Sequence, residues 1–301
     1  MKHIFYLLLA ISFIPQTFAQ QSGFVDNGDC KTFYRTFGVG KPLLIINGGP
    51  GMNSDGFVSL AKTLAANSQT IIYDQRGTGK SVLAKIDQSS IKMDFMIADL
   101  ERLRKHLKIE KWSILGHSFG GMLASYYATL YPEHIESLIL SASGGIDLEL
   151  QSYVSQKLRS RLTPLEADSL DYWNGKIAKG DTSFYAKLHR GLALAPAYLF
   201  DKKNIPVIAE RLTQSNMRIN ALIWNDLANI NFDCRDKLQS FSAPVLIIQG
   251  KQDIIDEKTA IKAKNAFMNS KVVFLDKCSH YGWLDVPDTY FSEVNRFLKR
   301  V

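Results

Sequence analysis

Three cysteines in 301 residues are too few for a disulfide framework. At most one pair among Cys30, Cys234 and Cys278 could close, and nothing in the sequence selects it. There is also no run of five or six like charges. The formal charge of +7, from 36 Lys and Arg against 29 Asp and Glu, is therefore spread thinly. Such an excess favours solubility and weak attraction to anionic surfaces, and it lacks the concentrated basic face of a nucleic-acid protein. No His, Cys and Glu residues fall at metal-ligand spacing, and no His-Glu-x-x-His string occurs. Internal repeats and low-complexity tracts are absent as well.

The only long apolar run lies at the start. Lys2 and His3 precede an almost wholly apolar stretch from Ile4 to Ile14, which Pro15 ends. Thr17-Phe18-Ala19 then places small residues at the −3 and −1 positions of a cleavage site. A spanning helix needs roughly 20 apolar residues, so the run reads as a signal peptide rather than an anchor. The expectation is a leader over residues 1–19 and an exported chain, periplasmic or secreted, beginning at Gln20. No later segment is long enough to enter a bilayer stably.

Past the leader, short apolar runs alternate with helical patterns. Leu43–Asn47, Thr70–Asp74, Trp112–Leu115, Ile135–Ser141, Val245–Gln249 and Val272–Leu275 read as strands. Several are continuously apolar, as strands buried on both faces of a sheet must be. Between them, Phe57–Ala66, Met93–Leu107, Gly120–Tyr131, Glu257–Met268 and Thr289–Leu298 read as helices. This alternation predicts an α/β fold, a mainly parallel sheet with helices on both faces. A hairpin turning at Asp26-Asn27-Gly28-Asp29 leads it. From about Ile146 to Leu238 the alternation stops and only helix-like segments appear, punctuated by Pro164, Pro196 and Pro206. The reading is a core over residues 20–145 and 239–301, with a helical cap at 146–238 inserted over the sheet's carboxyl edge.

The chemistry begins at Gly116-His117-Ser118-Phe119-Gly120, a G-x-S-x-G string between a strand and a helix. There a serine is forced onto a tight turn at the helix N-terminus, the context of a nucleophile elbow. A hydroxyl needs a base, and this arrangement orders its partners Ser, acid, His along the chain. His280 lies just beyond the last strand. His117 is inside the elbow and is expected to point away from Ser118, while His134 and His189 lie in a connecting loop and the cap. Asp253 follows the strand Val245–Gln249 and is the expected acid, orienting His280 so that its other nitrogen can take the Ser118 proton. Its rival Asp256 reads as the N-cap of the next helix. Cys278, two residues before His280, reads as a small filler rather than a thiol nucleophile.

The loop Asn47-Gly48-Gly49-Pro50-Gly51 follows the strand Leu43–Asn47, where a second oxyanion donor belongs. The expected hole consists of the Gly49 and Phe119 N–H groups. Gly79-Lys80-Ser81 ends like a phosphate-binding loop, but Asp74 stands where that loop needs its first glycine, so nucleotide binding is not expected. Asp74 and Arg76 read as a structural ion pair or a turn lock.

These motifs resemble the α/β-hydrolase superfamily, and in particular the proline iminopeptidase branch of serine aminopeptidases. That branch typically carries H-G-G-P-G and D-Q-R-G-x-G-x-S. Here the counterparts are Asn47-Gly48-Gly49-Pro50-Gly51 and Asp74-Gln75-Arg76-Gly77-Thr78-Gly79-Lys80-Ser81. The resemblance covers almost all of the chain after the leader. It implies an eight-stranded, mainly parallel sheet, a helical cap, no cofactor, and release of an N-terminal residue, often proline, from short peptides. Two departures stand out: Asn47 replaces the usual His, and the elbow resembles those of esterases and lipases as much as those of the peptidases. Glu210, Asp226 and Trp224 are the candidates for holding substrate in the cap. The alternative reading is a carboxylesterase or lipase-like hydrolase, which predicts an apolar cap pocket without an acidic grip. A third, a non-enzymatic relative that binds a small ligand, is disfavoured because all three triad residues are present.

Overall fold

The computed structural model describes residues 20–301, so the expected leader lies outside the described residues. Eight strands form one sheet: β1 (Gln21–Asp26), β2 (Lys31–Phe37), β3 (Pro42–Ile46), β4 (Gln69–Tyr73), β5 (Trp112–His117), β6 (Ile135–Ser141), β7 (Val245–Gly250) and β8 (Ser270–Leu275). Their order is β1-β2-β4-β3-β5-β6-β7-β8. The leading hairpin is antiparallel and β2 joins β4 antiparallel, while every other pairing is parallel.

The apolar strand runs form this sheet because successive side chains leave on opposite faces. Leu43 and Ile45 enter one core while Leu44 and Ile46 enter the other. Leu115 and Ile114, Ile248 and Ile247 divide in the same way. Each such side chain, fully buried, contributes about 1.5–3 kcal/mol, and only helices on both faces can bury both sets. On one face lie α2 (Met93–His106), α3 (Phe119–Leu130) and α10 (Glu257–Ala266). The other face carries α1 (Val58–Leu64) and α12 (Pro287–Leu298), the latter just after the short α11 (Gly282–Asp285).

Between β6 and β7 the chain contains helices and no strand. They are α4 (Val154–Ser160), α5 (Pro164–Ala178), α6 (Phe184–Tyr198), α7 (Ile205–Leu212), α8 (Met217–Asn229) and α9 (Arg235–Leu238). Pro164 and Pro206 fall in the first turns of α5 and α7, where their missing N–H costs nothing. Pro196 does not interrupt α6 but sits in its last turn. Among the described residues no helix is long and apolar enough to cross a membrane.

Of the two readings of Asp74 and Arg76, the turn lock holds and the ion pair does not. Asp74 and Arg76 do not pair with each other. Asp74 is a turn lock: Oδ1 accepts from Ser54 N at 2.9 Å and Ser54 Oγ at 2.7 Å, and Oδ2 accepts from Lys80 N at 2.9 Å. Arg76 turns the other way and makes a two-pronged contact with Asp99 of α2, at 2.8 and 2.9 Å, with Asp29 of the hairpin turn alongside at 3.0 Å. A planar guanidinium seeks a carboxylate whose two oxygens match its fork, and Asp99 is buried in position to offer both.

Candidate active site

The elbow stands at the carboxyl end of the central strand β5. Ser118 has φ 55° and ψ −121°, a backbone conformation that costs on the order of 1–3 kcal/mol and persists only where packing enforces it. Its N–H donates to Ser141 O, and its carbonyl accepts from Gly121 N and Gly144 N, both at 2.9 Å. The flanking glycines are required sterically. A Cβ on Gly116 would meet Gly120 O at 2.4 Å, and one on Gly120 would meet Ile46 O at 2.2 Å. The strain therefore lies in the turn that aims the Ser118 hydroxyl.

His280 and Asp253 are brought together from two loops. His280 Nδ1 lies 2.9 Å from Asp253 Oδ1, and both residues are buried. Asp253 is held in turn by Gln249 Nε2 at 2.8 Å and by Ile255 N at 3.3 Å. His280 N donates to Tyr198 O at the end of α6. Asp256 stands at the N-cap position of α10, where its carbonyl accepts from Thr259 N but its side chain caps no N–H; its carboxylate lies 3.6 Å from Lys157 Nζ. The link from His280 to the elbow runs through His117. Its ring, expected to point away from Ser118, packs 4.6 Å from the ring of His280.

The Asn47–Gly51 loop lies against the elbow: a Cβ on Gly48 would sit 2.7 Å from Ser118 Cβ. Among the described residues neither the Gly49 N–H nor the Phe119 N–H has a protein acceptor, so both amides are free to donate to a substrate oxygen. Phe119 opens α3, whose N-terminus adds favourable potential for an anion. Gln75 Nε2 donates to Asn47 O at 2.9 Å, which ties the Asp74–Ser81 loop to this one.

The three cap candidates separate. Asp226 accepts from Met93 N at 2.8 Å, at the start of α2. Glu210 lines a groove with Asp55, Ser59, Lys62 and Val207. No residue of the proposed triad lines the grooves that hold either carboxylate. Trp224, in contrast, packs with Tyr153 and Tyr198 against Leu150, Ile254 and Ile255, the last two following Asp253 in the chain. One side of the Asp253–His280 pair is thus apolar and aromatic, while Gln249 Nε2 bonds Asp253 and the Arg161 guanidinium reaches Ser279 Oγ at 3.1 Å on another. Among the described residues no group of three or more His, Cys, Asp or Glu side chains is arranged to hold a metal ion.

Two contributors escaped the sequence reading. His117 carried a signal, since it neighbours the nucleophile, but its contact with His280 depends on how distant loops fold. Arg211 carried none; it is one arginine among many on helix-like segments, yet its guanidinium reaches the Gly48 carbonyl.

Comparison with known proteins agrees with this fold. Residues 41–287 match the model of a family described as the alpha/beta hydrolase fold. The proline iminopeptidase of Heyndrickxia coagulans is 26% identical over 296 residues, covering 93% of this chain and 99% of that protein. Among solved structures, the proline iminopeptidase of Mycobacterium smegmatis superposes with a TM-score of 0.66 at 22% identity, over 93% of this chain and 98% of the other. An esterase from Exiguobacterium antarcticum gives a TM-score of 0.70 at 17% identity, over 93% of this chain and all of the other (100%).

Proposed function

The chain belongs to the α/β-hydrolase fold family, and on that premise we propose that it is an exported serine hydrolase working through an acyl-enzyme. The observation that carries this reading is the 2.9 Å contact between His280 Nδ1 and Asp253 Oδ1, with the His280 ring packed against His117, the residue before a serine held at φ 55°. With Nδ1–H donated to Asp253, Nε2 is left as the acceptor for the Ser118 proton. Ser118 Oγ then attacks the acyl carbonyl, and the resulting oxyanion takes hydrogen bonds from Gly49 N–H and Phe119 N–H. His280 returns the proton to the leaving amine or alcohol, and water repeats the sequence to release the acid.

The first substrate reading is removal of N-terminal residues from short peptides. It is supported by curated relatives named proline iminopeptidase and by the Gly48–Gly51 and Asp74–Ser81 loops. The helices between β6 and β7 then act as a cap that closes one end of the cleft. A second reading, a carboxylesterase, is favoured by a specific observation. The Asp226 carboxylate is occupied by Met93 N, whereas Ile254 and Ile255, which follow Asp253 in the chain, pack with Leu150, Tyr153, Tyr198 and Trp224. An uncharged acyl group suits such surroundings better than an ammonium.

Amino-acid naphthylamides, free and N-acetylated, assayed beside short-chain p-nitrophenyl esters, separate the two. Much faster cleavage of the free Pro- or Ala-naphthylamide supports the peptidase; equal rates, or turnover of esters alone, supports the esterase. Ser118→Ala should lose on the order of 10⁴–10⁶ in kcat on whichever substrate is turned over. Undiminished turnover in that variant would overturn both readings.

A further inference from the structure

Arg211 is a buried cation without an anion. It belongs to α7, in the inserted helices, and is 5% exposed. Its Nη2 donates to the Gly48 carbonyl at 2.9 Å and its Nη1 to the Tyr281 hydroxyl at 3.2 Å, with Met52 Sδ 2.9 Å away. The guanidinium lies over the Phe57 ring, 5.0 Å from its centroid, and Nε has no partner. Among the described residues no carboxylate comes within 4 Å of it. An uncompensated buried charge is expensive, and packing alone does not require one at this position. The contact that does require a strong donor is the one to Gly48 O.

That carbonyl is half of a single peptide group. In a trans peptide the C=O and N–H are coplanar and point in opposite directions, so gripping Gly48 O fixes where the Gly49 N–H aims. The Gly49 N–H is unpaired, and Gly48 lies directly against Ser118. Asn47 Nδ2 donates to the same carbonyl at 3.2 Å, so two side chains converge on one oxygen. A charged donor on a peptide carbonyl also draws electron density through the amide and makes its N–H a stronger donor. The same helices hold the neighbouring residues: Asn216 N donates to Gly51 O, and Asn220 Nδ2 donates to Pro50 O.

We propose that Arg211 is a positioning residue for acyl transfer: through the Gly48 carbonyl it aims and polarises the Gly49 N–H that receives the oxyanion. Because α7 carries it, the alignment of the oxyanion hole depends on where the inserted helices sit. The proposal rests on Ser118 being the nucleophile, but not on whether the substrate is a peptide or an ester.

The test compares wild type, Arg211→Met and Arg211→Lys on the substrate the enzyme turns over. Affinity is also measured for a boronic acid or trifluoromethyl ketone, whose adduct with Ser118 is tetrahedral and anionic. Loss of a whole oxyanion donor costs about 10²–10³ in kcat, so a misaimed and less polarised one should cost about 10–100-fold. That loss is expected in kcat with KM almost unchanged, matched by an equal loss of affinity for the tetrahedral inhibitor. Arg211→Lys, which keeps the charge and one donor, should recover part of both. Where Arg211→Met does not fold, Arg211→Lys decides by the same split between kcat and KM. Folded variants with wild-type kcat, or with the whole loss in KM, overturn the proposal. Ser118→Ala run alongside keeps the two ideas apart. If it retains turnover, the serine hydrolase reading falls. If it is inactive while Arg211→Met keeps its kcat, only the role of Arg211 falls.

Discussion

The imidazole of His117 lies 4.6 Å from that of His280, centroid to centroid, with the rings inclined at 54°. His117 is wholly buried among Phe57, Tyr281 and Trp283, and neither ring nitrogen has a protein partner. Burial first, and then the neighbouring charges of His280 and Arg211, hold its pKa well below the ordinary value for histidine. The ring facing His280 therefore resists protonation more than a free imidazole does.

This arrangement sets a pH dependence of stability. The unfolded chain protonates His117 near pH 6.5 and the folded chain resists doing so. Below that value the unfolded state binds the extra proton, so this contribution to stability is complete above about pH 6.5 and is lost as the pH falls. The slope is at most about 1.4 kcal/mol per pH unit. Melting curves from pH 7.5 to 5 should show Tm falling more steeply for wild type than for His117→Phe. Parallel profiles would contradict the assignment.

The Arg76–Asp99 pair should behave as a buried ion pair broken on one side. Asp99→Asn leaves the guanidinium with the half-exposed Asp29 and no buried anion. Removing one partner of a buried pair typically costs about 3–5 kcal/mol, and Asp29 keeps the loss near the lower end. For a chain of this size a Tm about 5 °C lower is expected by calorimetry. A change within about 1 °C would show that the hairpin turn does not depend on the pair.

All three cysteines are free and buried. Burial pushes the Cys30 thiol up to about 11 and the Cys234 thiol up to about 12, and it raises Cys278 as well. Thiols this far from ionisation are poor nucleophiles. A chromogenic disulfide reagent at pH 8 should find no thiol in the native protein and three after denaturation. Rapid reaction of Cys278 in the native state would reopen its reading as a filler beside His280.

The proposed export makes a direct claim about covalent structure. Protein purified from its natural source should have a mass corresponding to a chain beginning at Gln20. Intact Met1 in that material would remove the signal peptide from the account.

Local chemistry made much of this protein legible from its sequence. Strand runs such as Leu43–Ile46 and Leu246–Ile248 declare burial on both faces by their composition, and β6 begins and ends where expected. The elbow is equally local, because Gly116 and Gly120 are needed by atoms only a few residues away or on the adjoining strand. Chain order then put forward Asp253 and His280 as candidate partners for Ser118, and the structure brings those two within 2.9 Å of each other. Tertiary structure alone decided who meets whom across long separations. Arg76 finds Asp99 rather than Asp74, Asp226 faces the start of α2, and Arg211 reaches Gly48 from 163 residues away. Periodicity and turn geometry act over one or two turns of chain, so they can be read in order. The partner of a buried charge is set by how segments 23 to 163 residues apart in the chain pack over the sheet, and no local pattern carries that information.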